Sequence, residues 1–314
     1  MKILVLGAGG VGGYFGGRLV EAGGDVTFLV RERRAAELAA DGLVIKSPCG
    51  DATVRVQIAR AGEPLAPYDI VLLCCKAYDL ESAMDSIAPA MGAESAVLPV
   101  LNGLSHLDRL DRRFGAARVL GGLAQIAATI GAGGRIEHLN KLHRVVFGER
   151  DGRRSVRVTT LAALLAKARF DSALSDQIVL EMWEKFVLLA SLAGMTCLMR
   201  APVGAIMATS EGEALMGEFV TECTAVATAA GHAPRAPFLA RTQGLLTERG
   251  STFTASMLRD IERSGQTEGD HILGDLLRRA RTLGVATPLL RMAVCHVEAY
   301  EAQRALRDSA TGGS

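Results

Sequence analysis

An excess of positive or negative charge is missing here: 35 lysines and arginines stand against 34 aspartates and glutamates, leaving a formal charge of +1. That balance supplies no basic field for nucleic acid or an anionic membrane surface, so the expected partner is a small molecule met in a cleft. No apolar run reaches membrane-spanning length without glycine or charge, and the chain opens directly on a strand with no stretch resembling a signal peptide. A soluble, cytoplasmic protein is therefore expected. The six cysteines (49, 74, 75, 197, 223 and 295) include no C-x-x-C pair, and the six histidines form neither H-x-x-x-H nor H-E-x-x-H. Reduced thiols and no metal are the expectation. Internal repeats and low-complexity linkers are also missing, and only residues 309–314 read as frayed.

What the chain does hold is apolar residues, 49% of its 314, enough for a large core and by usual domain size for two domains. The stretch Lys2-Ile3-Leu4-Val5-Leu6-Gly7-Ala8-Gly9-Gly10-Val11-Gly12-Gly13 runs a short apolar strand into glycines spaced G-x-G-x-x-G and then into helical spacing. This is the pattern of a dinucleotide-binding turn. Gly7 permits the tight turn, Gly9 lets backbone N–H groups approach a pyrophosphate, and Gly12 lets the helix pack close to the strand, with Gly10 counted beside them as cofactor-binding. The helix N-terminus then faces the anion.

A second strand over 25–30 ends at Arg31, where dinucleotide folds read the adenosine ribose; an arginine there suits a 2′-phosphate. Glu32 stands at the spacing of an NAD-reading acid, but among Arg31, Arg33 and Arg34 it is better used in an ion pair. NADPH is the expected cofactor. Leu43–Lys46 and 53–58 read as antiparallel strands about a turn at 47–51. A continuous apolar run over 68–75 predicts a strand buried on both faces and delivers Lys76 at its end. The next strand, 95–100, delivers Asn102-Gly103. In a doubly wound sheet, Lys76 and Asn102 would face the same crevice as the glycine turn.

Segments 119–130, 135–139 and 144–148 read as closing strands, 158–168 as a helix and 169–174 as a last strand. From Ser175-Asp176 onward helical spacing dominates, with a capping box at Ser210-Glu211-Gly212-Glu213, stops at Gly231 and Gly284, and helix starts near Pro202, Pro234 and Pro288. The predicted fold is α/β, a Rossmann-type doubly wound sheet over 1–175 followed by an all-α second domain over 176–314. Apolar faces of that helical half suit closure over substrate or a homodimer contact.

Within the helical half, Glu181-Met182-Trp183-Glu184-Lys185-Phe186-Val187-Leu188-Leu189 holds the single tryptophan and an isolated lysine, a residue rarely buried without a partner. The glycine turn, Arg31, Lys76, Asn102-Gly103, Trp183-x-Lys185, Ser256-Met257-Leu258-x-Asp260-Ile261 and Thr267-Glu268 together resemble the ketopantoate reductase (2-dehydropantoate 2-reductase) family over essentially the full chain. The resemblance implies NADPH-dependent reduction of 2-dehydropantoate to pantoate. It further implies Lys185 as general acid, Ser256 on the substrate carboxylate, Asn102 on substrate and cofactor, and Glu268 touching the cofactor and orienting the site. Lys76 would touch the cofactor's phosphate or ribose side.

The chemistry fits these residue types. Hydride delivery to a ketone builds negative charge on oxygen, which an ammonium can stabilise and protonate. Glu268 would hold Lys185 charged, whereas apolar neighbours push its pKa down. In one respect the chain departs from the family: asparagines expected one and two helical turns after the lysine are Leu189 and Ala193. An apolar wall does not read a substrate hydroxyl. A different 2-oxo acid is the rival substrate, and a non-catalytic NADP(H)-binding sensor is the rival from another class.

Overall fold

Runs such as Ile70–Leu73 and Ala96–Pro99, apolar at every position, must be covered on both faces, and a parallel sheet flanked by helices does this. The computed structural model describes residues 1–311. Contacts divide it into two units, one of residues 1–101 and 106–178, the other of 102–105 and 179 onward.

The first unit begins with β1 (Lys2–Leu6), α1 (Gly10–Glu21), β2 (Asp25–Val30), α2 (Glu32–Asp41), β3 (Leu43–Lys46), β4 (Ala52–Val54) and β5 (Gln57–Arg60). It continues with β6 (Ile70–Leu73), α3 (Leu80–Ile87), β7 (Ala96–Pro99) and α4 (Ser105–Phe114), whose first residue groups with the second unit. β8 (Gly121–Ile130), β9 (Ile136–Gly148), α5 (Val156–Leu165) and β10 (Asp171–Leu174) close it. Five strands form a parallel sheet in the order β5-β2-β1-β6-β7, with Ile3 opposite both Val26 and Ile70. The chain leaves β1 to one side for β2 and returns on the other as β6. Ligands of open α/β sheets bind at that reversal. This is the Rossmann-type half that the alternation of strands and helices predicts.

A second sheet, β10-β9-β3-β4 with β8 paired to β9, corrects two expectations. The segment 53–58 is not one strand. β4 pairs antiparallel with β3, whereas β5 pairs parallel with β2 at the edge of the first sheet. Between them Arg55 donates to the carbonyls of Ala39 and Ala40 in the last turn of α2, and this fastens the crossing from one sheet to the other. The pieces expected at 135–139 and 144–148 are both parts of β9. Its register against β8 jumps from Ile126↔His143 to Ala128↔His138, so residues 139–142 bulge out and are exposed. The bulge stacks the rings of His138 and His143, 5.5 Å apart, and Cys49 on the β3–β4 turn joins them. Sequence spacing had left these three residues unconnected.

α1 lies between the two sheets. Gly16 faces Phe28 of β2 and Gly17 faces Leu43 and Ile45 of β3; a Cβ at either would come within 2.6–2.8 Å of those side chains. Ile3, Val5, Phe15, Phe28, Ile45, Ile136 and Phe147 form the core around this helix.

The second unit is helical: α6 (Ile178–Met199), α7 (Val203–Ile206), α8 (Gly212–Ala229), α9 (Ala236–Leu246), α10 (Ser256–Glu262), a π-helical turn at Asp270–Gly274, α11 (Asp275–Thr282) and α12 (Pro288–Thr311). α8 packs against α9, α11 and α12 around buried Phe219, Leu246, Leu276 and Leu290. Gly231 and Gly284 stop helices with φ of +83° and +67°, as expected. The predicted capping box does not form: α8 starts on Gly212 with no side-chain cap, its Cα set so close to the Ile206 carbonyl that a Cβ would collide with it. α12 runs to Thr311, so the end expected to fray is helical that far, and residues 312–314 lie outside the described residues. No helix among the described residues is long and apolar enough to cross a membrane.

Candidate active site

Gly7 follows β1 in a left-handed conformation, φ +87°, and its N–H bonds the Leu29 carbonyl at 2.9 Å. The chain thus turns sharply at the carboxyl end of the sheet. A Cβ on Gly12 would stand 2.4 Å from the Gly7 oxygen, so glycine is what lets α1 start here. No side chain caps α1, no acidic residue occupies its first turn, and the space about Gly9 is open. The first N–H groups of a 12-residue helix are thereby presented to an anion with no competing carboxylate, which fits a dinucleotide pyrophosphate.

Around this turn the arginines divide their work. Arg34, mostly buried, donates to the Ala8 carbonyl at 3.1 Å and to Glu37 at 2.9 Å, bracing the turn from α2. Nothing in the spacing singled it out for that. Glu32 pairs with none of its three arginine neighbours; its partner is Arg60 of β5, at 2.9 Å, because the parallel pairing of β5 with β2 brings Arg60 to the same strand end. Arg31 is exposed at the N-cap of α2 and has no ion-pair partner among the described residues. Lys76 is exposed three residues beyond β6, where the chain enters a single 3₁₀ turn.

In the helical unit, the Lys185 ammonium donates to Asn102 Oδ1 at 2.9 Å. Asn102 is the third residue after β7 in the chain, and its loop is tied to the helical unit by a residue that spacing did not identify. His271, buried in the π-helical turn, donates from Nε2 to the Asn102 carbonyl at 2.7 Å, since that oxygen can only accept. Its Nδ1 then accepts from the Ser105 hydroxyl at 2.8 Å. Gly103 takes φ +76°, and a Cβ there would lie 3.0 Å from the His271 ring. The Asn-Gly pair is thus required by a close approach as well as by a turn. The available signal was the three-residue step from Glu268 to His271, one helical turn.

Glu268 is buried, and its charge acts on Lys185. The preceding Thr267 is clamped by Glu301 of α12, which accepts from its N–H at 2.7 Å and its hydroxyl at 2.6 Å. No sequence signal connected Glu301 to the site. Burial of the Lys185 amine outweighs the attraction of Glu268 and pushes its pKa down to about 8. Sequence names these two opposing effects without ranking them; in the structure desolvation is the larger.

Leu189 and Ala193 follow Lys185 on α6 at one and two turns; Leu189 is partly buried and Ala193 buried. Ser256 is exposed at the first position of α10. Of the residues singled out from sequence, Gly7, Gly9, Gly10, Gly12, Arg31 and Lys76 belong to the first unit. Asn102, Lys185, Leu189, Ala193, Ser256 and Glu268 belong to the second.

The family profiles for ketopantoate reductase PanE/ApbA and for its C-terminal domain match residues 3–152 and 177–301. Among curated relatives, an uncharacterized oxidoreductase, YkpB, of Bacillus subtilis is 38% identical over 97% of this chain and all of its own length. A 2-dehydropantoate 2-reductase of Mesorhizobium japonicum is 29% identical over 97% of this chain and 99% of its own. Among solved structures, a PanE/ApbA family ketopantoate reductase of Ralstonia eutropha superposes with a TM-score of 0.87 at 26% identity, covering 97% of this chain and 99% of that one. A D-mandelate dehydrogenase, solved with NADH and anilino(oxo)acetate, shares the fold with a TM-score of 0.85 at 22% identity over 97% of this chain and 99% of that one. By profile, by sequence and by fold, this chain is an oxidoreductase belonging to the ketopantoate reductase family.

Proposed function

We propose that the protein is an NADPH-dependent 2-oxo acid reductase, with 2-dehydropantoate as the first substrate to test. The observation that carries this reading is the Lys185 ammonium, bonded to Asn102, attracted by Glu268, and brought by burial to a pKa of about 8. A group near that value is protonated at neutral pH yet gives up its proton readily, the property wanted of a general acid. A bound reduced nicotinamide supplies the hydride. Lys185 stabilises the charge that develops on the carbonyl oxygen and transfers a proton to it, leaving a 2-hydroxy acid. Asn102 aims the ammonium, Ser256 takes the substrate carboxylate, and the uncapped start of α1 takes the pyrophosphate.

The preference for NADPH rests on the unpaired, exposed Arg31 together with Arg60, which already neutralises Glu32, the one acid placed to read a ribose hydroxyl. A second reading of the substrate is favoured by Leu189 and Ala193, neither of which can hydrogen-bond a substrate hydroxyl. A 2-oxo acid with an apolar substituent fits such a wall better than the hydroxylated 2-dehydropantoate. The relative named 2-dehydropantoate 2-reductase supports the first reading.

The test is a panel of 2-oxo acids assayed by oxidation of NADPH and of NADH, with Lys185→Ala as control. Turnover is expected with NADPH, lowered by about a hundredfold or more in the variant, while NADPH binding persists. Faster turnover of phenyl or branched-chain 2-oxo acids than of 2-dehydropantoate selects the second substrate. No turnover of any 2-oxo acid with either nucleotide, or equal activity in both proteins, overturns the proposal.

A further inference from the structure

The β9 bulge and the β3–β4 turn meet at one end of the second sheet of the first unit, and there they assemble a soft donor set that the reductase chemistry does not use. One ligand atom from each of Cys49, His138 and His143 lies within 4.8 Å of the other two. We propose that these three residues form a zinc(II) site whose fourth position is filled by water or by the Ser47 hydroxyl.

The hydrogen bonds around the two imidazoles are those of zinc-ligating histidines, which fix the ring by donating one N–H to a protein oxygen and leave the other nitrogen to the metal. His138 Nε2 donates to the Leu142 carbonyl at 3.1 Å, so its proton is there and Nδ1 carries the lone pair. That nitrogen accepts from the Ser47 hydroxyl at 2.8 Å, a bond the metal would replace, and the same hydroxyl oxygen accepts from the N–H of Cys49 at 3.0 Å. A metal seated between His138 and Cys49 therefore meets a ready oxygen. His143 Nδ1 lies 2.6 Å from the Tyr14 hydroxyl and donates to it when Nε2 is the ligating atom. The rings are stacked at 22°, so both can turn an edge toward one point.

Local charge does not oppose a cation here. Arg18 pairs with Glu21 at 2.8 Å, and Lys46, three residues before Cys49, pairs with Asp51 at 2.7 Å. Cys49 loses its proton on binding, and the thiolate offsets half of the metal's charge. One thiolate and two imidazoles select zinc over magnesium or calcium, which require oxygen donors. Tetrahedral zinc holds such donors about 3.5 Å apart, so they draw together by about 1 Å on loading. The site would tie the β3–β4 turn to β9 and, through Tyr14, to α1, the helix that begins at the glycine turn.

Metal-stripped protein titrated with Co²⁺ alone provides the test. The expected result is one Co²⁺ per chain, with a near-ultraviolet thiolate-to-cobalt charge-transfer band and the visible absorption of a tetrahedral site, both abolished by added Zn²⁺. Cys49→Ser is expected to lose the charge-transfer band, and it and His143→Gln to bind at least about a hundredfold more weakly. Cys49 and His143 are both partly exposed, so the variants are expected to fold, which circular dichroism checks directly. A wild-type titration without the charge-transfer band, or variants that bind Co²⁺ as the wild type does, would overturn the assignment.

Discussion

Lys185 shows how little a residue type says until its surroundings are known. As a free side chain it titrates near 10.4, too high for a fast proton donor at neutral pH. Burial takes it to about 8, with Glu268 limiting the fall. If Lys185 is the general acid we propose, it must be protonated to act, and kcat/KM for reduction is expected to be level below about pH 8 and to fall about tenfold per pH unit above it. Glu268→Gln removes the attraction that raises this pKa, so the descending limb should move to lower pH. A pH series on both proteins measures the shift, and an unmoved limb would separate Glu268 from the titration.

In the proposed mechanism His271 would act one bond further out, through Asn102, whose carbonyl it bonds. His271→Phe preserves bulk but removes both ring hydrogen bonds, leaving the Asn102 carbonyl and the Ser105 hydroxyl to find other partners. An expected fall in kcat of about tenfold or more follows from letting the Lys185 partner drift. The Kd for NADPH, measured by fluorescence titration, is expected to stay unchanged, an asymmetry that general destabilisation would not produce.

At the level of the element, α1 is constrained by what it must approach. Its glycines serve the nucleotide turn at one end and the contact with two sheets further along. Gly17→Val would push a branched side chain against Leu43 and Ile45, where a Cβ alone already comes to 2.8 Å. A destabilisation of about 1–3 kcal/mol is expected, partly offset by the better helix propensity of valine. Gly217→Ala in α8 meets nothing within 4 Å and should instead stabilise by up to about 1 kcal/mol. Thermal melts of the two variants should move in opposite directions.

The same contrast explains which elements could be read ahead of time. β1, β2, β6 and β7 are short apolar runs bounded by glycine, charge or proline, and local composition suffices for them. The division of 53–58 between two sheets follows from the pairing of β4 with β3 and of β5 with β2, and the β9 bulge from the register with β8. Both are decided by pairing partners distant in the chain, so no window of local sequence contains them. The capping box failed for a similar reason: the start of α8 is set by its close approach to Ile206 rather than by its own side chains.

On the scale of the whole molecule, the proposed reaction makes nucleotide binding and proton delivery separable properties, because the residues for each lie in different units. NADPH at a hundred times its Kd should stabilise a unit that binds it by about 2.7 kcal/mol. That rise in melting temperature is expected equally in wild type and Lys185→Ala. It should vanish in Gly12→Ala, whose added Cβ would sit 2.4 Å from the Gly7 oxygen. Calorimetric scans with and without NADPH measure it.

Local pattern alone was enough to establish the parallel sheet, the glycine turn, the helical second half and the family, because each depends on side-chain periodicity or on backbone freedom within a few residues. Folding in three dimensions was needed to choose Arg60 as the partner of Glu32, to clamp Asn102 with His271, to lower the Lys185 pKa and to gather Cys49 with His138 and His143. These depend on burial and on distances between residues far apart in the chain, and such quantities exist only once the core has closed around them.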